Sequence, residues 1–170
     1  LIVNIISMRI YFFKYTSLLI LLFFLEINWT LGQKTHNAHI SGKITIDSTW
    51  DSMIYISHIP SYDKMYEMSN EMIIAKEKID SLGLFEFNID FLPCDENLFR
   101  LHIIKKGDSP ATLIIGGKDE NHFFLIANCN SNIHITSNTP YPPFRNVEFH
   151  NSDMNAAFNQ ITNLVFRSDS

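Results

Sequence analysis

Two cysteines, seven histidines and one dense polar loop are the residues of this chain that could do chemistry. Cys94 and Cys129 are the only thiols. In an oxidising compartment they permit a single disulfide, and two separate, partly buried thiols are the other reading. Neither lies in a Cys-x-x-Cys motif, so their spacing shows no sign of a redox relay. The histidines are His36, His39, His58, His102, His122, His134 and His150. None has the H-x-x-x-H spacing of a zinc site, and no metal is expected. His102 and His122 fall on strands that could be neighbours, where the sharp reading is a cross-sheet zinc pair. The plain reading is edge or surface imidazoles titrating near neutral pH. In Lys118-Asp119-Glu120-Asn121-His122, the side chains of Asp119, Glu120 and Asn121 offer oxygens to a hard cation or a sugar. The calcium-loop spacing is absent, and Gly116-Gly117-Lys118 lacks the spacing of a phosphate loop, so a solvated hairpin loop is the reading taken. Trp50, Tyr55, Tyr62 and Tyr66 surround one β-rich segment and could form an aromatic platform for a sugar or peptide. No Ser–His–Asp order and no cofactor motif can be defended. No catalytic residue and no cofactor are expected.

The elements that must position these residues begin after a greasy leader. A cationic stretch from Met8-Arg9 to Lys14 is followed by Leu18-Leu19-Ile20-Leu21-Leu22-Phe23-Phe24-Leu25, then Glu26, then the small residues Thr30 and Gly32. That layout predicts a secretory signal cleaved after Gly32, with residues 1–7 lying upstream of a natural start at Met8. The apolar run is shorter than the roughly 20 residues of a membrane span, so membrane contact is expected only through an uncleaved signal. The formal charge of −5 and the scattered basic residues exclude the clustered Lys/Arg face that nucleic acid requires. After the signal come a polar leader at 33–37 and one domain's worth of chain.

From Ala38 the period is two. Ile40, Gly42, Ile44 and Ile46 alternate with His39, Ser41, Lys43 and Thr45. Further strands are predicted at 53–58, 71–79, 84–89, 98–105, 112–115, 122–128, 133–136 and 144–149. Residues 62–70 read as a loop. Asp80-Ser81-Leu82-Gly83 is a turn, with Gly where a positive φ is cheap. The period then becomes helical. Met154, Ala157, Phe158, Ile161, Leu164 and Val165 form a stripe, and Ser152 can cap the start. The expected fold is mainly β: an antiparallel β-sandwich or open barrel over 38–150 with one C-terminal amphipathic helix at 151–170. The helix reads as a connector, and the chain as the front of a longer protein.

Ile40-Ser41-Gly42-Lys43-Ile44, then Ile79-Asp80-Ser81-Leu82-Gly83-Leu84-Phe85-Glu86-Phe87, then Leu98-Phe99-Arg100-Leu101, then 144–149 running into a helix, make a familiar order. It resembles the N-terminal β domain of unknown function found in exported Bacteroidetes proteins, over about Ala38 to the C-terminal helix. In that family the domain often precedes a thioredoxin-like thiol–disulfide oxidoreductase domain. The resemblance implies a β-sandwich in the periplasm or cell envelope and supplies no catalytic residues. The expectation is an exported, non-catalytic module that binds a protein, a peptide or a downstream domain of the same protein. The alternatives are an accessory domain of such an oxidoreductase and a carbohydrate-binding module.

Overall fold

The computed structural model describes residues 36–166. The predicted signal, its cleavage after Gly32 and the residues upstream of it lie outside the described residues. So does the chain beyond residue 166.

Alternation builds the strands. In β1 (Ala38–Ile44), Ala38, Ile40 and Ile44 are buried, while His39, Ser41 and Lys43 face outward. In β4 (Leu84–Ile89), Phe85, Phe87 and Ile89 turn inward and Glu86 and Asn88 outward. The other strands are β2 (Trp50–Ile59), β3 (Ile73–Lys78), β5 (Asn97–Lys105), β6 (His122–Ala127), β7 (Asn132–Ser137) and β8 (Glu148–Phe149). They form two four-stranded sheets, ordered β4-β1-β7-β8 and β3-β2-β5-β6. The inward residues of both sheets make one apolar cluster, as in a sandwich. Helix α1 (Asp153–Phe166) comes last, with Asn155 N–H donating to Ser152 Oγ at 3.3 Å as its cap. Among the described residues no helix is long and apolar enough to cross a membrane.

Three expectations need correction. The first sheet is mixed, not antiparallel: β1 pairs antiparallel with β4 but parallel with β7, from His39↔Asn132 to Ile44↔Ser137. Residues 112–115 form no strand. The Asn121 side chain takes the place of a ladder, accepting from Ile114 N–H at 2.8 Å and donating to Thr112 O at 3.0 Å. The last strand shrinks to Glu148–Phe149, because Pro140, Pro142 and Pro143 remove backbone donors just before it.

The Asp80 turn closes β3 onto β4. The N–H groups of Leu82 and Leu84 both donate to Asp80 Oδ1 at 2.8 Å, and Gly83 takes φ 82°. Gly42 answers a different need. A Cβ there would run into the Ile135 carbonyl on β7 and come within 2.8 Å of the Phe85 ring. The ring of Phe85, its partner across β1–β4, therefore fills the place of the missing side chain. Gly42→Ala is expected to destabilise the domain by about 1–3 kcal/mol, the range of core overpacking. Urea unfolding measures it, and a loss indistinguishable from zero would show that β7 yields freely.

Candidate functional site

The outer face of the β3-β2-β5-β6 sheet is not wet. Register aligns Tyr55, His102 and His122 in one row, and Ser57, Arg100 and Phe124 in the next. Of these, Tyr55, Ser57, Arg100, His102 and His122 are all buried. The cover is the excursion between β2 and β3, two single 3-10 turns at Tyr62–Lys64 and Asn70–Met72, with Met65 buried beneath it. Arg100 holds this cover down: its two terminal nitrogens donate to the Glu67 carbonyl at 3.0 and 2.8 Å. Burial pulls the guanidinium down to about 10, since no low-dielectric site welcomes a charge.

His102 stacks on Tyr55, with ring centroids 5.1 Å apart. Its Nε2 lies 2.8 Å from the Pro110 carbonyl, which can only accept, so Nε2 carries the proton. Nδ1 is buried without a hydrogen-bond partner. Protonating it would place a second donor where nothing receives it. Desolvation, reinforced by the Arg100 charge and opposed by the Pro110 bond, pushes the imidazole down to about 4.

The edge of this sheet is β6. Ile103 N–H donates to Asn121 O, so the alternate residues His122, Phe124 and Ile126 direct their backbone groups away from β5. Asn155 of α1 takes Ile126 completely: its Oδ1 accepts from Ile126 N–H at 2.7 Å, and its Nδ2 donates to Ile126 O at 2.8 Å. One turn later, Asn159 Nδ2 donates to Val147 O at 3.0 Å. A groove remains between β6 and α1, lined by Tyr66, Glu120, His122, Phe124, Asn159 and Thr162. Tyr66 meets Phe124 edge-on at 5.8 Å.

The helix is thus docked by its amides, and part of the expected stripe faces outward while Phe158 is half-buried. Asn155 is fully buried, whereas Met154 is 40% exposed, Ile161 59% exposed, and Ala157 is also exposed. Asn155→Ala removes both edge bonds and is expected to cost about 2 kcal/mol, since it leaves Ile126 unsatisfied in a part-buried place. Thermal unfolding reads it, and an unchanged midpoint would mean that α1 contributes nothing to the edge.

The remaining reactive groups gather at a corner. Cys94 and Cys129 form a disulfide with Cα atoms 4.6 Å apart. Cys129 N–H donates to Pro93 O at 2.9 Å, fixing the β6–β7 turn against the segment after β4. His36 Nδ1 lies 3.2 Å from Cys129 Sγ and 3.1 Å from Asn130 Oδ1. On the opposite sheet's outer face, Ser41 Oγ and His134 Nδ1 are 3.1 Å apart, and His134 packs against His150 at 5.5 Å. That pair sits on an open sheet face.

The aromatic platform is overturned. Trp50 is buried with Lys105 Nζ 4.7 Å from its ring centre, and Tyr55 is buried under His102. Only Tyr62 and Tyr66 reach solvent. The polar loop site also comes apart: Asp119 pairs with Lys105 Nζ at 2.9 Å, Asn121 is fully buried as a structural clamp, and Glu120 lines the β6 groove. His102 and His122 do face each other across β5–β6, but His102 Nε2 goes to Pro110 O and His122 Nδ1 to Ile114 O at 3.2 Å. Both hold the single β5–β6 connection and do not converge on a cation. The sequence reading missed Arg100 and Asn155. Met65, Tyr66 and Met68 in the excursion were the available signal, because so much apolar surface must cover something. Compared with known proteins, the chain shows no significant match to any family model, curated protein or solved structure.

Proposed function

We propose that this chain is an exported, non-catalytic β-sandwich module of the cell envelope that binds a partner protein or a following domain through α1. The observation that carries the reading is the outward stripe Met154, Ala157 and Ile161. A helix that folded only to finish its own domain would bury those residues and expose its amides. Here the amides anchor the helix, and Met154, Ala157 and Ile161 remain for another surface. The stripe's i, i+3, i+7 spacing suits a helical partner segment. The disulfide supports an oxidising address, as does the leader.

The test uses the full chain with a photo-crosslinking residue at Ala157, expressed in a bacterium with an oxidising periplasm. The reading expects a processed chain in the envelope fraction and one discrete crosslinked species, a single helical partner or a second copy. That species should vanish in Met154→Lys/Ile161→Lys while circular dichroism stays unchanged. A chain retained in the cytosol with its leader intact removes the export half. A crosslink unaffected by the double substitution removes the binding half.

A further inference from the structure

We infer that the corner formed by His36, Cys94 and Cys129 is a redox-gated zinc site: closed as a disulfide, and opened by reduction into a Cys2His ligand set. The inference goes beyond the binding role of α1 and does not depend on it.

Three donor atoms meet there. His36 Nδ1 and the sulfurs of Cys94 and Cys129 all lie within 4.8 Å of one another. Tetrahedral zinc, with Zn–S bonds of about 2.3 Å and Zn–N bonds of about 2.0–2.1 Å, separates its ligand atoms by about 3.5–3.8 Å. The His36–Cys129 approach of 3.2 Å is already close to that, so the change needed is mainly a parting of the two sulfurs. The turn that carries Cys129 is tied down by its own backbone. Cys129 is tied by its own N–H to Pro93 O, and Ser131 N–H donates to Asn128 O within the same turn. Asn128 N–H and Asn130 N–H are also bonded within the turn, to Ser131 Oγ and Asn128 Oδ1. The histidine is not buried; Asn130 Oδ1 can only accept, so the proton now sits on Nδ1, and turning Nδ1 to a cation breaks that bond and moves the proton to Nε2.

The exposures also set the order of the reduction. Cys94 is exposed and Cys129 is buried. A thiolate of an external dithiol attacks Cys94 Sγ, and the sulfur–sulfur bond breaks with its electron pair passing to Cys129, beside His36. The second thiol of the reductant then displaces Cys94 and closes the reductant's own disulfide. Two electrons and two protons have moved from the dithiol to the two cysteines. Zinc binding releases those two protons to solvent and leaves two thiolates and one neutral imidazole on the ion. Three protein ligands leave a fourth position open to water or a substrate atom.

The test is cobalt substitution on the full chain. The protein is reduced with a phosphine under anaerobic conditions, freed of reductant and titrated with Co²⁺, then with Zn²⁺. The expected result is one equivalent of Co²⁺ with a thiolate-to-cobalt charge-transfer band and tetrahedral d–d bands, all bleached by Zn²⁺. The oxidised chain should give none of these. Cys94→Ser should abolish the charge-transfer band's two-thiolate intensity. His36→Ala, a change at an exposed residue, should weaken Zn²⁺ binding by about 10-fold or more. Circular dichroism of the reduced chain runs in parallel. A reduced chain without the thiolate band overturns the inference, as does binding identical in His36→Ala. So does loss of the β signal on reduction, because only folded strands bring the three residues together.

Discussion

Replacing Cys94 and Cys129 together by alanine is expected to destabilise the domain by about 4 kcal/mol. The bridge closes a loop with a sequence separation of 35 residues, and chain-entropy loss in the unfolded state scales with the logarithm of that length. The loop contains all of β5 and β6, so the bridge restrains two neighbouring strands of one sheet and the turn into β7 of the other. A stability of 5–15 kcal/mol is usual for a domain of this size, so the variant should still fold. Urea unfolding in the presence and absence of a reductant measures the effect. The wild type should lose about the same amount on reduction, while the double variant should not respond. A wild type indifferent to reductant would mean that the bond does not restrain the unfolded chain.

The second large effect is an acid transition centred on His102. Its folded value lies near 4 and its unfolded value near 6.5. Above pH 6.5 neither state takes the proton, and the full stability is present. Between pH 6.5 and 4 the unfolded chain binds a proton that the native chain refuses, so stability falls as pH falls. Below 4 both states are protonated and the loss is complete, at about 3 kcal/mol. The groups facing this ring are the Tyr55 ring it stacks on, the buried Arg100 cation two residues before it, and His122 across β5–β6. The Tyr55 hydroxyl is pushed upward by burial and stays neutral throughout this window. Several surface carboxylates, Asp47, Asp63, Glu71 and Glu86, are held below their ordinary values by hydrogen bonds. Their contributions are present above the usual carboxylate range and are lost only below it. The interval from pH 6.5 to 5 therefore separates the imidazoles from these carboxylates. Urea midpoints at pH 7.5, 6 and 5 for wild type and His102→Gln should diverge: the wild type falls more steeply than the glutamine variant. Parallel curves would place the ring in water.

The core was legible because it depends on local period. Ile40 and Ile44, Phe85 and Phe87, and Phe99, Leu101 and Ile103 all point inward as their alternation requires. Several failures trace to a second layer that the period of a strand does not encode. Arg100 and His102 occupy the polar positions of β5, yet the β2–β3 excursion meets Arg100, and the Tyr55 ring and the Pro110 carbonyl enclose His102. Tyr55 looked like part of a platform for the same reason, whereas Trp50 belongs to the apolar cluster between the sheets. Helix α1 failed in the opposite sense. The period marks its apolar stripe but not what docks it: the β6 edge offers bare backbone groups, and Asn155 satisfies an N–H and a C=O where a methionine could not. The pairing of β1 with β7 had no local signal, because nothing in either strand's alternation says which neighbour it takes. The corner of His36, Cys94 and Cys129 was out of reach for the same reason, since its members are scattered along the chain.

That parallel pairing also governs when the molecule can be finished. Ser41 and its neighbour His134 are separated by 93 positions, whereas β1 meets β4 after a much shorter wait. A chain threading N-terminus first from a ribosome or a translocation channel must therefore carry β1 half-zipped, with one flank bare, until nearly the whole domain has emerged. Long-range closure of this kind is slow, and the bare flank is a template for a neighbouring nascent chain to seize. Such a protein gains more than most from a holdase waiting at the exit.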